Sequence, residues 1–234
     1  MNIALIGYGR MGKAIEKIAR ERGHDIAFIL DKETTTGDLS KAEVAINFSV
    51  PDAAVANLKL CFDAGVPVVC GTTGWLDQQA EIHAYCSAKN CGFLYASNFS
   101  IGVNLFFQLN EKLAQLMKNH RETYTPLLEE THHIHKLDAP SGTAISLAEG
   151  ICKNDPSLPR WTMNKDDEKD LQIVAHREGE VPGTHRITYS SKIDELHIEH
   201  KAHSREGFAF GAVIAAEWLN GKNGIFSMND VLNL

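Results

Sequence analysis

No apolar run in this chain approaches the roughly 20 residues that a bilayer-spanning helix needs, so a membrane-spanning segment is not expected. Cysteine is sparse and unpatterned. Cys61, Cys70, Cys86, Cys91 and Cys152 are odd in number and form no C-x-x-C pair. That argues against a zinc ribbon or a disulfide framework and points to reduced, buried thiols. Positive charge is not in excess either. The formal net charge of −7 speaks against nucleic acid as the main partner, because phosphate binding needs a basic face. The opening Met1-Asn-Ile-Ala-Leu-Ile-Gly7 carries no basic segment and reads directly as a strand, so a secretory signal is not expected and a cytoplasmic location is the default. Internal repeats, low-complexity segments and the H-E-x-x-H zinc motif are also missing. What is left, 234 residues with 44% hydrophobic and 23% charged content, suits a globular protein of one large or two modest domains.

The first hundred residues alternate short apolar runs with amphipathic ones, the pattern of a parallel sheet covered by helices on both faces. Strands are expected at residues 3–6, 26–30, 44–48, 66–70 and 92–96. Helices are expected at 10–22, ending at Gly23, from Pro51 to Gly65, and at 76–89. After Asn98 the pattern changes. A long helix over 101–119, a strand over 123–131 and a helix from Ser141 to about Cys152 are followed by a loop at 154–168. Strands at 171–176, 184–190 and 195–202 come next, then a helix over 207–219. Ser227-Met-Asn-Asp230 resembles a capping box that opens a last short helix. The expected fold is therefore α/β. A Rossmann-like parallel-sheet domain takes residues 1–98 and 206–234. An α/β substrate-binding and oligomerisation domain with a mixed, largely antiparallel sheet takes residues 99–205.

Gly7-Tyr-Gly-Arg-Met-Gly12 fits G-x-G-x-x-G between a strand and a helix. The first glycine makes the turn, the second admits pyrophosphate to the backbone, and the third lets helix and strand pack closely. Arg10 and Met11 belong to the same loop. Asp31 ends the second strand about 20 residues past Gly12, where this fold places an acid against the ribose hydroxyls. Asp31 favours NADH, since a carboxylate repels a 2′-phosphate. Lys32 and Arg10 soften that repulsion, so NADPH stays open. Gly71, Thr72 and Thr73 follow the fourth strand. Ala96, Ser97, Asn98 and Phe99 follow the fifth. Carboxyl ends of parallel strands form the ligand crevice, so both runs are candidate cofactor contacts, and plain turns are the alternative.

Glu129-Glu-Thr-His-His-Ile-His-Lys-Leu-Asp-Ala-Pro-Ser-Gly-Thr-Ala144 gathers three imidazoles, an amine and a helix start. Histidine suits proton transfer near neutral pH. In an extended chain His132 and Lys136 would lie roughly 13 Å apart at about 3.3 Å per residue, so serving one small substrate requires a bend between them. Gly142 and Thr143 open a helix, whose N-terminus favours a carboxylate. No metal site is expected, because adjacent His132 and His133 would point to opposite faces of a strand. His185, His197, His200 and His203 read mostly as sheet-surface residues. Arg205 is a candidate for a carboxylate or hinge contact, with a surface ion pair as the alternative.

The run from Glu130 to Ala144 closely resembles the signature of the dihydrodipicolinate reductases. Gly7–Gly12, Gly71–Gly74, Asn98-Phe-Ser-Ile-Gly-Val-Asn104 and Ile198-Glu-His-Lys-Ala-His-Ser-Arg205 resemble the same family in the same order. The resemblance implies NAD(P)H-dependent reduction of a cyclic, unsaturated imine dicarboxylate in lysine and diaminopimelate synthesis. It also implies a homotetramer. His132 matches the family's proton donor or acceptor and Lys136 its second proton donor. His133 and the Gly142-Thr143 backbone match the groups that hold substrate carboxylates. Two departures stand out: residues 32–43 form a compact link, and Arg177-Glu-Gly-Glu-Val-Pro-Gly-Thr-His185 differs from the family's usual run. Arg177 is therefore not assigned a catalytic role. A different NAD(P)-dependent oxidoreductase would call for another pattern, such as a nucleophilic cysteine beside a histidine. A non-catalytic nucleotide sensor would have lost His132 or Lys136.

Overall fold

The computed structural model describes residues 1–164, 169–204 and 206–234. The chain forms two compact units, Met1–Ile101 with Glu206–Leu234, and Gly102–Arg205. In the first unit the order is β1 (Asn2–Ile6), α1 (Arg10–Glu21), β2 (Asp25–Leu30), β3 (Thr35–Gly37), β4 (Val44–Asn47), α2 (Pro51–Asp63), β5 (Val68–Cys70), α3 (Gln79–Ala88) and β6 (Gly92–Tyr95). In the second unit α4 (Ile101–Met117) leads to β7 (Thr125–His132), α5 (Gly142–Asn154), β8 (Trp161–Thr162), β9 (Leu171–Arg177), β10 (Thr184–Ser190) and β11 (Glu195–Lys201). The chain then returns to the first unit with α6 (Glu206–Leu219), β12 (Gly224–Phe226) and α7 (Met228–Leu232).

The central strands β1, β4, β5 and β6 of the first unit are mostly apolar because both of their faces are covered. Ile3 and Leu5 of β1, Ile46 of β4 and Val69 of β5 pack into a core with residues of α1 and α6. Ala4, Ile6, Ala45, Val68 and Cys70 alternate with them and enter a second core with Leu58, Phe62 and Ile82 of α2 and α3. Cys61, Cys86 and Cys91 fill this second core. Burial pushes the Cys61, Cys70 and Cys86 thiols up to about 12, so they are inert hydrophobes rather than nucleophiles. The sheet order is β12-β6-β5-β4-β1-β2-β3. All its pairings are parallel except β2 with the edge strand β3. Successive connections run outward from β1 in opposite directions, which makes a topological switch point between β1 and β4.

The second unit is a mixed sheet of order β11-β10-β7-β9-β8. β10 pairs antiparallel with β7 and β11, whereas β9 pairs parallel with β7 and β8. β7 alternates, with Pro126, Leu128, Glu130 and His132 on its buried face. Leu128, Ile173 and Ile187 meet Leu147 and Ile151 of α5 in the core.

Three short strands lie where sequence reading placed only connections. β3 lies in the 32–43 link, β8 lies in the loop at 154–168, and β12 follows Gly221. Two or three residues are too few to show a period, so their strand character comes from the sheet edge they join. Residues 165–168 of that loop lie outside the described residues, as does Arg205. Among the described residues no helix is long and apolar enough to cross a membrane.

Gly211 shows how closely the first unit is packed. A Cβ on this α6 residue would sit 1.7 Å from the Phe99 carbonyl oxygen. Gly211→Ala gains up to about 1 kcal/mol of helix propensity but drives a methyl into fixed backbone. A net loss of about 1–3 kcal/mol is expected, read as a lower urea midpoint. An unchanged midpoint would mean that the Phe99 backbone yields freely.

Candidate active site

In the first unit the switch point is also where the fingerprint glycines lie. Gly7 follows β1 with φ +90°, and a Cβ there would be 2.2 Å from the Phe48 carbonyl. Its N–H donates to Leu30 (2.7 Å), and Phe48 N–H donates to Ile6 (2.8 Å). A Cβ on Gly12 would be 2.3 Å from the Gly7 carbonyl, so the third glycine is set by helix–strand contact. Gly9 is different. Nothing lies within 4 Å of where its Cβ would be. It is the N-cap of α1, supplies no side-chain cap and is followed by no acid in the first turn. The helix thus presents open N–H groups and its positive dipole end to solvent, which suits a diphosphate.

A cavity of about 300 Å³ adjoins this turn, lined by Gly7, Gly9, Leu30, Asp31, Lys32, Phe48 and Ser49 among others. Asp31 and Lys32 are exposed on its wall. A second cavity of about 210 Å³ is lined by Met11, Phe48, Ser49, Pro51, Gly71, Thr72 and Thr73. Arg10 is exposed at the first position of α1. The Thr72 hydroxyl accepts from Ser49 N–H (2.8 Å) and its carbonyl from Trp75 (2.7 Å), so Thr72 is part of the wall. Ala96, Ser97, Asn98 and Phe99 line neither cavity. Asn98 Oδ1 accepts from Ser100 N–H (2.9 Å), and the Phe99 ring is 2% exposed, packed in the core. Phe48 and Ser49 line both cavities, and the sequence places Asn47-Phe48-Ser49 at the end of its strand in this crevice.

In the second unit β7 ends at His132 and the chain turns at once, with Lys136 N–H donating to the His133 carbonyl (3.1 Å). The bend that one small substrate requires is present. The loop is strapped down by Arg177, which donates to the carbonyls of Lys136 (3.3 Å) and Asp138 (2.6 Å). Ile134 N–H donates to the Gly179 carbonyl (3.1 Å). Lys136 Nζ is half-buried and pairs with both Asp138 oxygens at 2.8 and 2.9 Å. That pairing holds the Asp138 carboxyl below the usual carboxylate range.

His132 is 8% exposed. Its Nδ1 faces Glu130 Oε2 at 3.5 Å, and its ring meets that of His185 edge-on at 5.1 Å. Burial pulls the imidazole down to about 4, outweighing the attraction of Glu130, so His132 is neutral at pH 7. Glu130 is fully buried. Burial alone would raise its pKa, but hydrogen bonds from His185 and Ser141, with the charge His132 takes on at low pH, overcome this and hold it well below the usual range. Ser141 caps α5 through Oγ, which accepts from Ala144 N–H (3.2 Å). Gly142 follows with open space around it, and Thr143 is half-buried. His133 is half-buried beside His135, whose outer nitrogen meets exposed Glu180 at 3.3 Å.

His185 corrects the sequence reading: it is 4% exposed and joins Glu130, not the sheet surface. Glu130 and Ser141 were also missed as site residues. An acid in the buried row of an alternating strand was the available signal. Donor atoms of Glu130, His132 and His185 lie within 4.8 Å of one another, a convergence that the spacing of the histidines alone did not suggest. The carboxylate is already engaged by Ser141 N–H and Arg177.

The family described as "Dihydrodipicolinate reductase, N-terminus" matches residues 1–99, and "Dihydrodipicolinate reductase, C-terminus" matches residues 102–232. The 4-hydroxy-tetrahydrodipicolinate reductase of Christiangramia forsetii is 53% identical over 235 residues, covering 100% of this chain and 98% of its own. That of Neisseria meningitidis serogroup B is 35% identical over 211 residues, 84% of this chain and 74% of its own. The solved structure of dipicolinate-bound dihydrodipicolinate reductase from Paenisporosarcina sp. TG-14 shares the fold, with TM-score 0.78, 20% identity and 97% of both chains covered. The chain belongs to the dihydrodipicolinate reductase family.

Proposed function

We propose that this protein reduces 4-hydroxy-tetrahydrodipicolinate to tetrahydrodipicolinate with NADH or NADPH, in the cytoplasm, on the route to diaminopimelate and lysine. The observation that carries the reading is the turn after β7. It sets Lys136 and His132 on a strapped loop that runs into the start of α5 at Ser141, whose first turn carries no acid. Full-length identity of 53% to a reductase of this substrate supports it.

Within this reading the open N-terminus of α1 and the Gly9 backbone hold the cofactor's diphosphate, and Asp31 takes the ribose hydroxyls. When bound, the nicotinamide supplies the hydride. His133 and the backbone of Gly142 and Thr143 hold the substrate carboxylates at the positive end of α5. Lys136 carries the proton for the reduced ring. A cation there also stabilises negative charge as it develops on the substrate. His132, neutral at pH 7, orients the substrate and passes a proton instead of storing one. NADH is the favoured cofactor because Asp31 stands on the cavity wall. The homotetramer forms through the second unit, where β11 is a sheet edge and Ile193 and Leu196 are 84% and 43% exposed beside it.

Loss of absorbance at 340 nm tests the activity, with substrate made in situ from pyruvate and aspartate semialdehyde by a partner synthase. Oxidation that depends on both proteins, and is faster with NADH, is expected. A preference for NADPH would transfer the weight from Asp31 to Lys32 and Arg10, and no oxidation with nucleotide still binding would sink the substrate assignment.

Lys136→Ala should cut kcat by about 10²–10⁴, the usual range for a lost general acid, with the Kd for NADH near wild type. Turnover within a few-fold of wild type would remove Lys136 from the chemistry. The wild-type kcat should stay level as pH falls through 6.5, because His132 takes a proton only near pH 4. An inflection in kcat near pH 6.5 that disappears in His132→Asn would show that His132 titrates as an ordinary imidazole.

Light scattering after size exclusion should give four chains per particle. A monomer that turns over fully would rule out the tetramer as a requirement.

A further inference from the structure

Glu130 occupies a position where a carboxylate is costly. It sits on the buried face of β7 with no exposure. An ionised group there is tolerated only when donors surround it. The donors come from separate elements. Ser141 N–H, just ahead of α5, reaches both carboxylate oxygens at 3.1 Å. Arg177 Nη2 from β9 lies at 3.3 Å. His185 Nε2 from β10 lies at 3.7 Å and exchanges a hydrogen bond with Ser141 Oγ at 3.2 Å. His132 Nδ1, two residues along β7, faces the carboxylate at 3.5 Å without a hydrogen bond.

We propose that Glu130 is the positioning residue of this site: one buried carboxylate fixes the His132 imidazole and, through Ser141, the start of α5 that receives a substrate carboxylate. The proposal rests on the reductase reading above. Its physical content is that two groups from different segments take their place from the same anion. Moving either by about 1 Å is enough to cost roughly a hundredfold in rate. Arg177 extends the arrangement. The guanidinium that neutralises Glu130 also holds the carbonyls of Lys136 and Asp138, so the lysine-bearing loop is referred to the same carboxylate.

The charge has a separate effect from the shape. The groups that act on His132 are Glu130 on its own strand, His185 on β10, Arg177 on β9 and Lys136 on the loop. Glu130 is the one among them that favours a protonated imidazole. The other three, all cationic or able to become so, oppose it. Removing the negative charge therefore makes His132 harder to protonate.

Glu130→Gln separates the two effects, because the amide oxygen still accepts from Ser141 N–H while the charge is gone. In protein with 13C-labelled histidine, the His132 titration should lie lower than in the wild type, because the charge that favours its protonation is gone. The kcat should fall about ten- to a hundredfold, and the Kd for NADH should not change. Glu130→Ala also removes the acceptor of Ser141 N–H. It should weaken binding of dipicolinate, used as the probe and read by calorimetry with NADH present. Glu130→Asp, which keeps the charge on a shorter arm, should recover part of the lost kcat. A folded Glu130→Gln protein with kcat within about threefold of wild type and an unmoved His132 titration would overturn the proposal, leaving Glu130 as an anchor of the fold alone. If Glu130→Gln does not fold, Glu130→Asp carries the test: a kcat more than about threefold below wild type with unchanged NADH binding supports the proposal, and a kcat closer to wild type overturns it. Histidine titration and dipicolinate binding need no turnover, so failure of the reductase reading is seen separately, as wild-type protein that binds nucleotide but oxidises none.

Discussion

A carboxylate cut off from water dictates the arrangement of everything near it. Glu130 is fully buried, and the idealised cost of burying such a charge exceeds any single hydrogen bond by a wide margin. The second unit meets that cost with groups from four places in the chain: Ser141 before α5, Arg177 at the end of β9, His185 on β10 and His132 on the same strand. Each is thereby constrained. The helix must start at Ser141, the strand register must bring His185 opposite Glu130, as β10 does, and the loop after His132 must pass over Arg177. A mixed sheet fits this demand. Antiparallel β10 and parallel β9 flank β7, so donors arrive from both sides of the carboxylate.

The first unit solves the opposite problem. There the start of a helix leaves its donors unused, as an anion from outside would require. The chain does so by giving α1 a glycine N-cap with no side chain to satisfy its first N–H groups and by adding no acid in the first turn. Gly7 and Gly12 are glycines because backbone oxygens stand where their Cβ atoms would be. Gly9 is a glycine for another reason, since the space around it is empty. Packing accounts for two of the three fingerprint glycines, and only the middle one is left to explain by a ligand. This distinction gives the motif weight here that the bare pattern of letters lacks.

Legibility in the sequence followed the same division. The strands of the first sheet were readable because both faces are buried, so Ile3-Ala-Leu-Ile6 and Val44-Ala-Ile46 are apolar without interruption. Helix ends were readable where Gly23, Pro51 and Gly65 punctuate them. β3, β8 and β12 were not, because two or three residues at an edge take their conformation from a neighbouring strand. At the site, His132, Lys136 and the helix start at Ser141 were legible as one contiguous run. Arg177 and His185 were not. Their bond to Glu130 spans 47 residues in the case of Arg177, and no local pattern marks a residue whose role is to meet a distant charge. His185 looked like one of several histidines on strands, and its register opposite Glu130 distinguishes it from His197 on β11, which is exposed.

The protonation states then follow from burial more than from residue type. Histidine is the usual choice for acid chemistry near pH 7, yet the pocket that holds His132 in place is also what strips its proton. Lys136 lies on a half-buried loop, paired with Asp138, whose carboxyl stays ionised. The division of labour is therefore set by depth. In the proposed reading the residue nearer solvent is the proton donor, and the deeper one, facing Glu130 at 3.5 Å, supplies geometry. Asp138 has a further part in this arrangement. Its two contacts to Lys136 are of the kind that any carboxylate makes with an ammonium, so an anion placed there would compete with Asp138 for it.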